Sequence, residues 1–226
     1  MSYTRGTSTI TTNGLIYHLD IPNPLCYHAN QSKCYSLIGQ TIGEVENNVS
    51  YFNESKGCLN FDGINTYITI PNNFTFTTEQ TIEVWIKLED EGPIYQRIID
   101  KSNGNNGLNG YALIYHPTLN MIYYIVNDGT NKDMVACKVS PNKWINIIAI
   151  KNSTEYKLYI NGILSQQNTG TSTLSTESTT TRIGAYTQSQ ERNFKGKINN
   201  IKIYNKALTL KEVNINYEAL KGRFIN

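Results

Sequence analysis

Apolar and polar residues alternate along Thr81-Ile82-Glu83-Val84-Trp85-Ile86-Lys87-Leu88. This places Ile82, Val84, Ile86 and Leu88 on one face, as a half-buried β-strand requires. Trp85 falls on the opposite face among polar neighbours, where a covering loop is expected to pack on it. Gly14 to Asp20 reads as an opening strand, and the β-branched and aromatic runs Trp144 to Ile150 and Lys197 to Tyr204 read as two more. Two hairpins are marked by their turns. Met121 to Val126 meets Asn127-Asp128-Gly129-Thr130 and returns through Met134 to Cys137, and Tyr156 to Ile160 meets Asn161-Gly162 and returns through Ile163-Leu164. Asp-Gly and Asn-Gly accept the positive φ of a type I′ turn, so both reversals rest on a mechanism. Ile21 to Ser55, punctuated by Pro22, Pro24, Gly39 and Gly43, is expected to be irregular, and Ser/Thr-rich Gln166 to Thr181 to be a surface loop.

A helical pattern stands only near the C-terminus. Thr209 and Glu212 have the spacing of a capping box, in which each side chain satisfies an amide at the helix start. Leu210, Val213, Tyr217 and Leu220 then recur on one face, and Gly222 falls where a C-cap is expected.

Composition narrows the class. Of 226 residues, 39% are hydrophobic and 17% charged, against about 45–50% and about 25% in an ordinary domain. About one residue in eight is Asn, which disfavours helix and suits turns and strand ends. A helical bundle is excluded on that ground. A net charge of only +2, with Ile and Tyr in periodic runs, excludes a disordered chain. The length suits one all-β domain, residues 13–226, preceded by a polar, flexible arm of residues 1–12. Lys and Arg are scattered singly, so no stripe offers to neutralise a nucleic-acid backbone. No apolar run approaches the roughly 18 residues that span a membrane. The N-terminus lacks the apolar stretch of a signal peptide, so a protein made without a leader is expected.

Cys26 and Cys34 could close a short loop, but free thiols are the favoured expectation for Cys26, Cys34, Cys58 and Cys137, since a chain of this size needs no bridges. Cys26, His28, Cys34 and Cys58 only superficially offer zinc ligands, because no Cys-x2-Cys pair is present. Asn-x-Ser/Thr triplets at Asn30, Asn48, Asn73 and Asn152 are expected by chance in a chain this rich in these residues.

Several motifs follow one another in fixed order. They are Gly14 to Asp20, Leu59-Asn60-Phe61-Asp62-Gly63 with Tyr67-Ile68, Thr81 to Lys87, Trp144 to Ile147, and Leu158-Tyr159-Ile160-Asn161-Gly162. After them come Arg182-Ile183-Gly184, Phe194 to Ile198, and Ile203 to Thr209 with Glu212. In this order they resemble the concanavalin A-like lectin/glucanase superfamily, specifically laminin G-like modules of bacteriophage and bacterial surface proteins. The resemblance implies an all-β fold, a single jelly-roll sandwich of two antiparallel sheets with one short C-terminal helix.

It also implies a function. The expected role is a non-enzymatic virion surface protein, a capsid decoration or tail component, displaying a lectin-like, glycan-binding domain. Its partners would be capsid or tail proteins and cell-surface or mucosal glycans, with neither nucleic acid nor membrane, and it would be located on the virion surface. The alternatives are a free carbohydrate-binding module of a bacterial protein and, least favoured, a glycoside hydrolase. In the related lectins, sites lie on rim loops, which here correspond to residues 100–109 and 185–193. Asn103, Asn105, Asn106, Asn109 and Gln188 would bond sugar hydroxyls there, Tyr111 and Tyr186 would stack on a sugar face, and Arg192 would complete the site. Calcium is the one cofactor left open, with Asp100 and Asn103 as ligands, although Asp100 and Glu191 are few acids for it. No catalytic residue is expected. Glu83 reads as the lone acid of its strand, Glu89, Asp90 and Glu91 are consecutive, and His18, His28 and His116 lack a nucleophile partner.

Overall fold

The computed structural model describes residues 9–224, apart from 30, 72, 73, 75, 77, 103–108, 175–179, 188 and 190. These residues form two eight-stranded antiparallel sheets. The first sheet runs β14 (Ile163–Thr169), β13 (Glu155–Ile160), β12 (Trp144–Lys151), β7 (Gln80–Leu88), β16 (Lys195–Tyr204), β5 (Cys58–Asp62) and β4 (Ser50–Phe52), with β1 (Leu15–Asp20) also paired to β16. The second sheet runs β11 (Lys132–Lys138), β10 (Met121–Asn127), β9 (Gly110–His116), β8 (Gln96–Ser102), β15 (Thr181–Ile183), β6 (Tyr67–Ile70), β3 (Ile42–Glu46) and β2 (Lys33–Tyr35). The arrangement is the expected jelly-roll sandwich.

The alternation in β7 does what its pattern requires. Ile82, Val84, Ile86 and Leu88 enter one buried cluster with Leu113, Tyr115, Ile122, Tyr124, Ile147 and Leu158 from the strands around them. Each such side chain contributes roughly 1.5–3 kcal/mol on burial, so the shared interior dominates stability.

The outer face of the first sheet is covered by a single helix, α1 (Leu210–Leu220), whose capping box between Thr209 and Glu212 is formed as expected. Val213 packs with Ile148, Ile150, Tyr159 and Leu208, and Leu220 is buried as well. Trp85 lies not under a loop but under this C-terminal segment, stacked on Tyr217 at 5.7 Å and Phe224 at 4.1 Å. Leu210 is 57% exposed rather than packed. Gly222 does not cap the helix, because the chain continues through a 3-10 turn (Lys221–Arg223) that carries Arg223 to Asp20.

Other departures have local causes. Within Ile21 to Ser55 the short strands β2, β3 and β4 form, too brief to show a period. Residues 166–169, read as loop, extend β14 by pairing with residues 155–158. Asn161 (φ 51°) and Gly162 (φ 79°) make the expected type I′ turn. At the other hairpin only Gly129 has positive φ. The connection is four residues long, closed by Asp128 N–H to the Asn131 carbonyl at 3.1 Å, with the Asp128 carboxylate accepting from the Thr130 and Asn131 amides. Of the N-terminal arm, residues 1–8 lie outside the described residues. Thr11 beyond them donates its amide to Asn216 Oδ1 at 2.8 Å and accepts from the Tyr204 hydroxyl at 3.1 Å.

Two buried polar groups lie between α1 and the sheet. Glu83 and Lys202, neither side chain exposed, pair at 2.9 Å, and Glu83 also accepts from Asn216 at 2.7 Å and Asn146 at 3.3 Å. Nearby, Asn200 Nδ2 sits 3.1 Å from His18 Nε2 and donates to Asp20 at 2.9 Å. Burial, reinforced by Lys202, pushes the His18 imidazole down to about 4. Burial alone would raise Asp20, but hydrogen bonds from Arg223 and Asn200 hold it below the ordinary carboxylate value.

Removing one partner of a buried ion pair strands the other charge. Glu83→Ala is therefore expected to cost about 3–5 kcal/mol in urea unfolding, with most of the loss recovered in a Glu83→Leu/Lys202→Met double variant. A neutral His18 in the folded state binds its proton only near pH 4, whereas the unfolded chain binds it near 6.5. The stability this confers is present above about pH 6.5 and lost as pH falls towards 4. Unfolding midpoints measured across that window should decline in the natural protein and decline less in His18→Gln.

Candidate functional site

Among the described residues no helix covers the outer face of the second sheet, yet its strands carry apolar side chains on both faces. Tyr111, Leu113 and Tyr115 of β9 and Ile122, Tyr124 and Val126 of β10 point into the core. The alternate residues therefore form an outward surface. The register places Arg97, Ile114, Tyr123 and Ala136 in one cross-strand row. Asp100, Ala112, Ile125 and Met134 form the next, followed by Ser102, Gly110, Asn127 and Lys132. A groove of about 420 Å³ runs over these rows, lined by Tyr95, Arg97, Ile114, Tyr123, Ile125, Lys132, Met134 and Arg192. Tyr95, held at φ 60° before β8, meets His116 edge-on at 4.9 Å and Tyr123 at 6.4 Å, and remains 45% exposed.

Arg192 forms one wall of the groove, beside the β8 end of the sheet. Gly184 N–H bonds the Ile98 carbonyl at 3.0 Å and Arg97 N–H bonds the Arg192 carbonyl at 2.8 Å. The Asp100 carboxylate, fully buried, faces Arg97 Nε at 3.2 Å and accepts from Ser102 Oγ at 2.8 Å and Thr187 Oγ1 at 2.7 Å. Burial pushes this carboxyl up, and Arg97 and the two hydroxyls act against that. The Tyr186 ring lies 4.9 Å from the Arg97 guanidinium and 5.2 Å from that of Arg192.

The rim-loop expectations change accordingly. Asn103, Asn105, Asn106 and Gln188 lie outside the described residues. Tyr111, expected to stack on a sugar, is instead buried in the core, edge-on to Phe76 at 5.7 Å. Tyr186 is likewise buried, its ring engaged by the two arginines. Asn109 is half-buried beside Gly129, where an added Cβ would meet Asn109 Oδ1 at 2.6 Å. Arg192 stands where a ligand could meet it, in the groove wall. Asp100 does not fit a calcium ligand, because its oxygens face Arg97, Ser102 and Thr187, and the described residues hold no cluster of His, Cys, Asp or Glu suited to a metal.

No carboxylate pair lines the groove. Glu83 is buried beneath α1, Glu79 accepts from the Ala207 amide at 3.0 Å, and Glu89 and Glu91 pair with Lys195. His116 lies under Tyr95, and His18 is committed to the Asn200 network. All four cysteines are free and buried, with burial raising Cys26 to about 11 and Cys34 to about 12. Sequence reading missed Tyr95, Tyr123, Lys132 and Met134. The available signal was the unbroken apolar run Ile122 to Val126, which cannot bury both faces unless something covers the outer one.

Sandwich, helix and groove together describe a lectin-like β-sandwich. The profile of the concanavalin A-like lectin/glucanases superfamily matches residues 62–214, and the chain belongs to that superfamily. No curated protein matches the chain. Among solved structures, the receptor binding domain of botulinum neurotoxin C/D mosaic serotype is similar at TM-score 0.72 and 19% identity, covering 91% of this chain and 51% of that one. The botulinum neurotoxin serotype D ligand binding domain, solved with N-acetylneuraminic acid, is similar at TM-score 0.70 and 20% identity, covering 91% and 50%. The chain thus spans about half the length of these toxin domains. Domain 4 of AbnA, an extracellular arabinanase from Geobacillus stearothermophilus, in complex with arabinotriose, is similar at TM-score 0.67 and 14% identity, covering 91% and 98%. At these identities the likeness is one of fold.

Proposed function

We propose that the chain is a non-enzymatic, lectin-like module that binds carbohydrate in the groove on the outer face of the second sheet. The observation that carries this reading is the pair of exposed Tyr95 and half-buried Tyr123, set beside an apolar floor of Ile114, Ile125 and Met134. Aromatic rings offer their faces to the C–H face of a sugar, while flanking cations and hydroxyls bond its oxygens. A site carried on paired strands is also positioned before ligand arrives, which lowers the entropy lost on binding. The sugar ligands of the serotype D domain and of AbnA domain 4 support the reading by analogy of fold alone. The catalytic alternative is disfavoured by the absence of a carboxylate from the groove lining.

The setting we propose is the virion surface, as a capsid decoration or tail component, supported by the order of motifs shared with bacteriophage modules. A free bacterial carbohydrate-binding module is the alternative setting.

Glycan-array screening followed by calorimetry should find a binding polysaccharide, and Tyr123→Ala should weaken it about tenfold, as loss of one aromatic platform implies. Binding unchanged in both Tyr123→Ala and Tyr95→Ala would remove the groove as the site. Mass spectrometry of purified particles from the encoding virus should detect the chain at structural copy number, and its absence from them would leave the free-module setting.

A further inference from the structure

Three cationic side chains, Arg97, Lys132 and Arg192, line the groove, and no carboxylate does. Only Arg97 is compensated, by the buried Asp100 beneath it at 3.2 Å. Lys132 and Arg192 form no ion pair with a described residue. Lys132 is exposed on the β11 side, and Arg192 is half-buried in the wall above β8, restrained by the Tyr186 ring. Such placement keeps positive charge focused over an apolar floor, where it acts through less water than on an open surface.

We propose that the groove selects anionic sugars, bearing carboxylate or sulfate groups, over neutral ones, an inference that rests on the carbohydrate-binding reading above. A guanidinium presents paired N–H donors that match a carboxylate or sulfate edge, and an ammonium supplies a second point charge. A neutral sugar entering the same groove would offer both cations only neutral hydroxyl acceptors, which make weaker hydrogen bonds than a carboxylate or sulfate does. Lys132 and Arg192 line the same groove, so an acidic sugar entering it meets positive charge on both sides.

The test compares oligogalacturonate with its fully methyl-esterified form, and dextran sulfate with dextran, by calorimetry at fixed salt. These pairs keep the sugar backbone while removing the charge, and they distinguish carboxylate from sulfate as the source. At least one acidic member is expected to bind about tenfold or more tightly than its neutral partner, as a charge-assisted hydrogen bond implies. Lys132→Gln and Arg192→Gln should each reduce that preference several-fold, while Lys211→Gln, on the exposed side of α1, leaves it unchanged. Thermal unfolding confirms that each variant is folded, and exposed Lys132 carries the test if Arg192→Gln is not. Neutral and acidic members bound within twofold of each other would overturn the charge preference and leave the carbohydrate reading standing. A preference that survives the Lys132→Gln/Arg192→Gln double variant would also overturn it, by placing the charge elsewhere. Tyr123→Ala abolishing acidic binding supports the groove. Failure of every glycan, acidic or neutral, to bind would remove the carbohydrate reading itself.

Discussion

The buried ion pair between Arg97 and Asp100 is the contact on which the outer surface of the second sheet depends. Both groups sit on β8, and a buried carboxylate is tolerable only when paired and hydrogen-bonded. Part of that hydrogen bonding comes from outside the sheet, from Thr187 beyond β15. Asp100 and the Ser102 carbonyl therefore fix Thr187 against β8. Tyr186 then settles against Arg97, and Arg192 is carried to the edge of the groove.

The two sheets solve the same problem in different ways. Each has a core face of Ile, Val, Leu and Tyr, and each carries buried polar groups on its other face. On the first sheet, Glu83, Lys202, Asn146 and Asn200 are sealed by α1, with Trp85 stacked against Phe224 and Tyr217. On the second, β8 and β9 are buried along their whole length, while outer residues of β10 and β11 such as Tyr123, Ile125, Lys132 and Met134 remain half-buried or exposed. The groove is the uncovered remainder of a face built to be covered, which is why its floor is apolar and its rim cationic.

The architecture was largely legible in the residues. Strict alternation in β7, the Asn161-Gly162 turn and the Thr209–Glu212 capping box are local signals, and each produced the element it implies. Elements whose reasons are non-local were not legible. Strands β2, β3 and β4 are too short to display a period and exist because a neighbouring edge accepts them. Residues 166–169 look like loop by composition but are held by pairing with β13. The hairpin at Asp128-Gly129 reversed as expected through a longer connection, because the Asp128 carboxylate closes it by binding amides.

The site was less legible for a related reason. Tyrosine and asparagine near loop-rich sequence suggested rim contacts at Tyr111 and Tyr186, but period-2 geometry decides which face a strand residue takes, and Tyr111 falls on the inner one. Tyr95 and Tyr123 lie far apart in sequence and meet only because β8, β9 and β10 are neighbours in the sheet. By itself the sequence determined that this chain folds as a β-sandwich with a capped terminal helix, since those signals act over a few residues. The tertiary structure alone decided which faces are covered, because cover is supplied by segments remote in the chain, and so which tyrosines and cations face solvent.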